Sequence, residues 1–229
     1  MRKTWLTIVC AGALVCVGAG RALPHSLFYA DGGRTVALSW RRQPVQLYLS
    51  TSVRTPPPNI KAGGDVEGAV RRAPARWERA CGARFIVEWT DEQSASAGAE
   101  GDGVSLVTLA DTPENNSFFS GRGIGYTKLF FNRGTGEIVE ADIVVNPRQK
   151  FSTDGELGTY DLESTLTHEL GHLLGLDHSA EPGSVMREGQ PVNGRSGRRH
   201  LSGRELGEDD RAGVRSIYGE PVGEVSAGG

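Results

Sequence analysis

"THELGHLLGLDHS", Thr167–Ser179, sets three histidines and one glutamate into a leucine-rich run. The 229-residue chain has only five histidines, so their spacing carries information. Leu162, Leu166, Leu170, Leu173 and Leu174 recur at helical spacing, which predicts a helix from about Leu162 to Leu174 with Asp161 as its N-cap. His168 and His172 stand four residues apart on the opposite face, where two imidazoles one turn apart can reach one small cation. Gly175 then ends the helix, because a left-handed residue there reverses the chain cheaply, and the reversal can return His178 to the same cation. Glu169, turned by about 100° from His168, is placed to touch a metal-bound water rather than the metal.

Three neutral imidazoles and one open position describe a catalytic zinc site, whereas a structural zinc is closed by four protein ligands. Asp177 and the distant His200 are the candidates for a fourth ligand if the site were closed. Coincidental surface histidines would explain His-Glu-x-x-His alone. The added glycine and third histidine at fixed offsets make the metal site the preferred reading.

The rest of the chain is that of an ordinary globular protein, with 38% hydrophobic and 23% charged residues. Its length suits one domain or two small ones. A formal charge of −3 gives no reason to expect nucleic acid or an anionic membrane as partner. "MRKTWLTIVCAGALVCVGAGRA", residues 1–22, has a basic start, an apolar run and small residues at its end, which predicts a secretory signal peptide. A membrane anchor would need an apolar run of roughly 20 residues, longer than this one. Valines preceding Cys10 and Cys16 do not suit lipid modification. After cleavage only Cys81 remains, so no internal disulfide is expected, and stability rests on core burial and bound metal. Cys81 is expected to pack as a small apolar residue at a helix end.

Residues 23–34 are polar and glycine-containing and read as a flexible segment. "TVALSW", "VQLYLS", "RFIVEWT" and "VSLVTLA" read as strands. "DVEGAVRRAPARWERA" reads as a helix capped by Asp65, with Pro74 expected to kink or split it. "DEQSASAGAEGDG" and "DTPENNSFFSGRG" read as loops, the second holding a glycosylation acceptor pattern at Asn115. "IGYTKLFF", "NRGTGE" and "IVEADIVVN" form a predicted hairpin. "EDDRAGVRSIYG" is a final helix, and residues 220–229 read as a flexible tail. The order implies one mixed α/β (α+β) domain over residues 35–219.

The motif from His168 to His178 resembles that of the metzincin metalloproteases at every defined position. Met186, eight residues beyond His178 in "GSVM", fits the methionine turn beneath the zinc in that group. Ser179 directly after the third histidine resembles the matrixins. Glu188 stands where astacins and serralysins carry tyrosine. "LGEDDRAGVRSIYG", with Asp209 and Asp210, is similar to the closing matrixin helix. The resemblance implies a zincin-like fold: a twisted five-stranded mixed sheet, three helices, an active-site helix and a Met-turn. It also implies that "IGYTKLFF" is the antiparallel edge strand along which a peptide substrate lies. The sequence lacks the "PRCGxPD" latency pattern, so no cysteine-switch prodomain is expected, and Arg79–Gly82 is no substitute. The histidines of a second, structural zinc are missing. Calcium remains possible but not assignable, with Asp142 and nearby carboxylates as candidates. The Pro-x-Tyr wall after the methionine is absent, and no C-terminal domain is expected.

The expected function is therefore a secreted zinc endopeptidase, extracellular or periplasmic and monomeric, with no membrane partner after signal cleavage. His168, His172 and His178 are expected to bind one catalytic zinc, Glu169 to act as general base, and Met186 to support the site from below. Two alternatives stand beside it. One is a secreted zinc-binding module that holds an extended peptide without turnover. The other is a hydrolase of non-peptide substrates, which would need a closed pocket.

Overall fold

The computed structural model describes the backbone of residues 5–8 and residues 25–91, 101–121, 123–194 and 201–221. Chain order runs β1 (Trp5–Ile8), β2 (Ser39–Trp40), β3 (Val45–Leu49), α1 (Val66–Ala80), β4 (Phe85–Trp89), β5 (Leu106–Thr108) and α2 (Pro113–Ser117). It continues through β6 (Gly125–Asn132), β7 (Glu137–Val145), β8 (Phe151–Ser152), β9 (Tyr160–Asp161), α3 (Leu162–Leu173) and α4 (Glu208–Tyr218). The main sheet has the order β1-β6-β7-β5-β3-β4, with β2 beside the start of β7, and β8 pairs with β9 separately. The β7-β5, β5-β3 and β3-β4 pairings are parallel, whereas β6 is antiparallel to both of its neighbours.

Side-chain alternation explains the outer parallel strands. In β3, Val45, Leu47 and Leu49 are buried while Gln46 and Tyr48 are half-buried. In β4, Phe85, Val87 and Trp89 turn inward and Ile86 and Glu88 outward. The central β5 and most of β7 are buried on both faces, as expected for strands covered on both sides. Helices α1 and α3 pack on one face. Trp77 of α1 is fully buried and its Nε1 donates to Thr167 O of α3 at 2.9 Å.

The mixed sheet and the helices around it match the expected architecture, with differences that have local causes. The expected five strands are β6-β7-β5-β3-β4, to which β1 and the two-residue β2 are added. "TVALSW" contributes only Ser39–Trp40 to the sheet. A fourth helix, α2, forms in the predicted loop because Thr112 Oγ1 accepts Asn115 N at 3.1 Å and Pro113 sits in the first turn. Inside α2 the Asn115 side chain is fully buried and donates to Ala110 O at 2.8 Å, which removes it as a glycosylation acceptor. Pro74 does not split α1: the helix is continuous for 15 residues, with Ala73, Pro74 and Trp77 all in its buried face. Cys81 caps α1 and is buried, and burial pushes its thiol pKa up.

The segment expected to be flexible, residues 23–34, is tied down from His25 onward. Phe28 N donates to Gly175 O at 2.8 Å, Asp177 N donates to Ser26 O at 2.9 Å, and Phe28 joins the core. Leu27 and Phe28 are the cause, since two adjacent apolar side chains in a polar stretch find cover against the turn after α3. Residues 1–22, read as a signal peptide, lie outside the described residues except for β1, whose backbone pairs with Leu129–Asn132. Most of the tail from residue 220 also lies outside them. No described helix is long and apolar enough to cross a membrane.

Candidate metal centre

Helix α3 starts on a polar clamp and carries its functional side chains inside the protein. Asp161 Oδ1 accepts Ser164 N at 2.9 Å, and Arg204 donates to both Asp161 oxygens, at 2.9 and 2.7 Å. The leucines form the predicted core stripe, but the opposite face is no solvent face: all twelve residues of α3 are buried. His168 and His172 lie one turn apart with ring centroids separated by 4.6 Å. The chain reverses at Gly175, which has φ +98°, a conformation other residues rarely adopt. A Cβ there would also collide with Leu38 O. The reversal brings the His178 ring to 4.7 Å from His172 and 5.3 Å from His168. One ligand nitrogen from each histidine lies within 4.8 Å of the others.

Backbone carbonyls decide which ring nitrogens are free. His168 Nδ1 is 2.7 Å from Val185 O, and His172 Nδ1 is 2.8 Å from Leu176 O. A carbonyl can only accept, so both Nδ1 atoms carry the proton and both Nε2 atoms keep a lone pair. His172 Nε2 faces His178 Nε2 at 3.3 Å. Burial pulls the His168 pKa down to about 4. Burial, then the neighbouring His168 and His178, pull His172 well below its ordinary value. Two neutral rings with converging lone pairs and a third ring beside them fit a divalent cation with imidazole preference. Among the described residues no fourth histidine, cysteine or carboxylate joins the group, and no second group of three forms. Asp177, one candidate fourth ligand, uses Oδ1 to accept His178 N at 2.7 Å, and His200 lies outside the described residues. Asp142 Oδ1 accepts Leu106 N at 3.0 Å, tying the carboxylate considered for calcium to β5.

Glu169 is buried beside the cluster, and Thr127 Oγ1 of β6 donates to its Oε2 at 2.6 Å. Burial raises its pKa to about 7, with the Thr127 hydrogen bond acting in the opposite direction. Gly125 leaves room for this carboxylate, since a Cβ there would collide with it. Sequence reading missed both Thr127 and Gly125. The available signal for Thr127 was a polar residue between Tyr126 and Lys128 in a strand that is otherwise largely apolar.

Met186 lies under α3 against Gly171, where a side chain would clash with its sulfur. Its turn is held by Asp210, which is buried at 1% exposure and accepts Val185 N at 2.9 Å and Met186 N at 3.3 Å. Ser179 N donates to Met186 O at 2.9 Å, and Ser179 Oγ donates to Asp209 at 2.6 Å. Ser179, Met186, Asp209 and Asp210 therefore belong to one hydrogen-bonded unit. His168, His172, His178 and Glu169 line an open cleft of about 480 Å³. Phe118, Phe119 and Tyr126 stand in its lining, as do Glu188 and Gln190.

A family profile described as Matrixin matches residues 39–219. Over 168 residues the chain is 32% identical to Metalloendoproteinase 1-MMP of Arabidopsis thaliana, covering 68% of this chain and 38% of that protein. It is 28% identical over 156 residues to human (Homo sapiens) Matrix metalloproteinase-15, 68% of this chain and 22% of the relative. It is 38% identical over 73 residues to Matrilysin of Mus musculus, 32% of this chain and 25% of the relative. The chain thus spans well under half the length of these relatives.

Proposed function

The chain belongs to the matrixin family, and from that premise we propose that it is a secreted zinc endopeptidase, with residues 35–219 and the packed segment from His25 as its catalytic unit. His168, His172 and His178 would hold the ion, the first two through Nε2. Zinc bound there supplies a Lewis acid for the scissile carbonyl and acidifies a water. Glu169 is the general base: Thr127 occupies Oε2, and Oε1 is left to take the proton of the attacking water and pass it to the leaving amine. Met186 supports α3 from below without serving as a ligand.

The substrate is an extended peptide. Removal of the export segment would take β1 with it and leave β6 as the outer strand, and its half from Gly125 to Lys128 is the part at the cleft with backbone groups for another strand. That half carries Thr127 and Gly125, the two residues that bound Glu169. Export through the segment 1–22 and a monomeric state complete the reading.

The observation that carries this function is the convergence of three imidazole ligand atoms and a hydrogen-bonded carboxylate in one open cleft. The cleft's openness favours peptides over small-molecule substrates, and the oriented Glu169 favours turnover over binding alone. Digestion of a proteome-derived peptide library tests it. Cleavage that stops with chelator and returns with zinc is expected. Metal-independent cleavage would refute the zinc mechanism, and stoichiometric zinc with no cleavage would favour the binding module.

A further inference from the structure

Building on the endopeptidase reading, we propose that the cleft selects peptides bearing a cationic side chain close to the scissile bond, arginine above all, and that Glu188 is the specificity-determining residue. The carboxylates in the lining are Glu169 and Glu188, and no lysine or arginine lines the cleft among the described residues. Glu169 is buried and engaged by Thr127. Glu188 is exposed and makes no hydrogen bond or ion pair with any described residue, so its carboxylate is free for a ligand.

Nearby cations are directed elsewhere. Lys128 Nζ lies over the Phe130 ring at 4.8 Å and the Phe118 ring at 5.9 Å. Arg148 donates to Asn116 Oδ1 and Phe119 O, both at 3.0 Å. Arg187 precedes Glu188 but does not line the cleft.

Glu188 is also held in place from both sides. Before it, Arg187 forms a bridge with Ser179, one residue beyond His178. After it, Gly189 turns at φ +75° and Gln190 Nε2 donates to Ser164 O of α3 at 3.0 Å. The carboxylate is therefore carried on a segment anchored to the same helix and turn as the histidines. The lining also supplies aromatic rings: Phe118 and Tyr126 stack at 4.8 Å, and Tyr160 stands at the start of α3. The carboxylate suits a guanidinium, which can pair with it bidentately, and the rings elsewhere in the lining offer apolar and stacking surface to the rest of the peptide.

The test uses peptide sets identical except for arginine, citrulline or glutamate at each position near the scissile bond, with kcat/KM measured for the wild type, Glu188→Gln and Glu188→Lys. Citrulline keeps the shape and removes the charge. The wild type is expected to prefer arginine at one position by roughly two- to fivefold, as for an ion pair that keeps contact with solvent. Glu188→Gln should bring that ratio close to one, and Glu188→Lys should favour glutamate at the same position. Cleavage with no arginine preference at any position, or an unchanged ratio in both variants, overturns the assignment while leaving the endopeptidase reading intact. Failure of the zinc-loaded wild type to cleave any set or an unbiased library overturns both.

Discussion

Thr127 Oγ1 donates to Glu169 Oε2 at 2.6 Å, linking the strand beside the cleft to the helix that carries His168 and His172. The same hydroxyl lies 3.1 Å from Glu169 O, so one side chain fixes both the backbone and the carboxylate. Hydrogen bonds to charged groups contribute about 1.5–3 kcal/mol. Thr127→Val should therefore lower kcat by roughly tenfold or more without loss of bound zinc, and Thr127→Ser should restore most of it. Steady-state kinetics on zinc-quantified samples decide the point; an undiminished kcat in Thr127→Val would remove Thr127 from the mechanism.

Asp210 accepts four hydrogens, from Val185 N, Met186 N, Gly207 N and Ser184 Oγ, while almost fully buried. Alanine there leaves several buried donors without partners, and each such loss costs about 1–3 kcal/mol. Asp210→Ala should lower Tm by roughly 5–15 °C, and the loosened Met-turn should weaken zinc retention. Calorimetry with metal quantification checks both effects together.

Glu163 is fully buried in the first turn of α3 and meets arginines from two other parts of the fold. Arg72 Nη2 is 2.8 Å from its Oε2, Arg204 Nη1 is 3.6 Å from the same oxygen, and Arg76 closes on Oε1 as an ion pair. Removing one partner of a buried ionic group typically costs about 3–5 kcal/mol. Glu163→Ala should shift the urea midpoint far downward, with Glu163→Gln between it and the wild type. Equal midpoints for all three would show that the arginines find water instead.

Glu140 gives a pH dependence. Its carboxyl is almost fully buried, and burial raises its pKa, opposed by a hydrogen bond from Gly103 N. A folded value above the unfolded one means that ionisation works against folding. The contribution is most favourable below the unfolded pKa and is lost as pH rises through the folded pKa. Wild-type stability relative to Glu140→Gln should therefore decline as pH rises from the ordinary glutamate pKa of about 4.3 through the higher folded value. Denaturation curves across that range measure the slope; a rise with pH would contradict the burial argument.

The parts of this architecture that were legible in the sequence are those set by local spacing. The cap at Asp161, the leucine stripe of α3, the reversal at Gly175 and the return of His178 all follow from residues within one short window. Other parts depend on groups that leave no pattern. The Nδ1 partners of His168 and His172 are the carbonyls of Val185 and Leu176, and any residue type supplies a carbonyl. Phe28 packs 5.4 Å from the His172 ring, yet two apolar residues in a polar segment carry no period. Glu163 sits where a charged residue normally faces water, and only the assembled fold brings Arg72, Arg76 and Arg204 around it. Thr127 becomes meaningful once β6 lies against α3.

The most direct measurement of the central claim pairs zinc content with cleavage rate in Glu169→Ala. Metal analysis and hydrolysis of a fluorogenic peptide are made on the same sample, beside the wild type and His172→Ala. The wild type should hold zinc and cleave. Glu169→Ala should hold equal zinc and cleave at least about a hundredfold more slowly, in keeping with the loss of a general base. His172→Ala should lose both zinc and activity. A Glu169→Ala protein that cleaves at the wild-type rate, or a His172→Ala protein that cleaves without zinc, would contradict the assignment of this cluster as the catalytic centre.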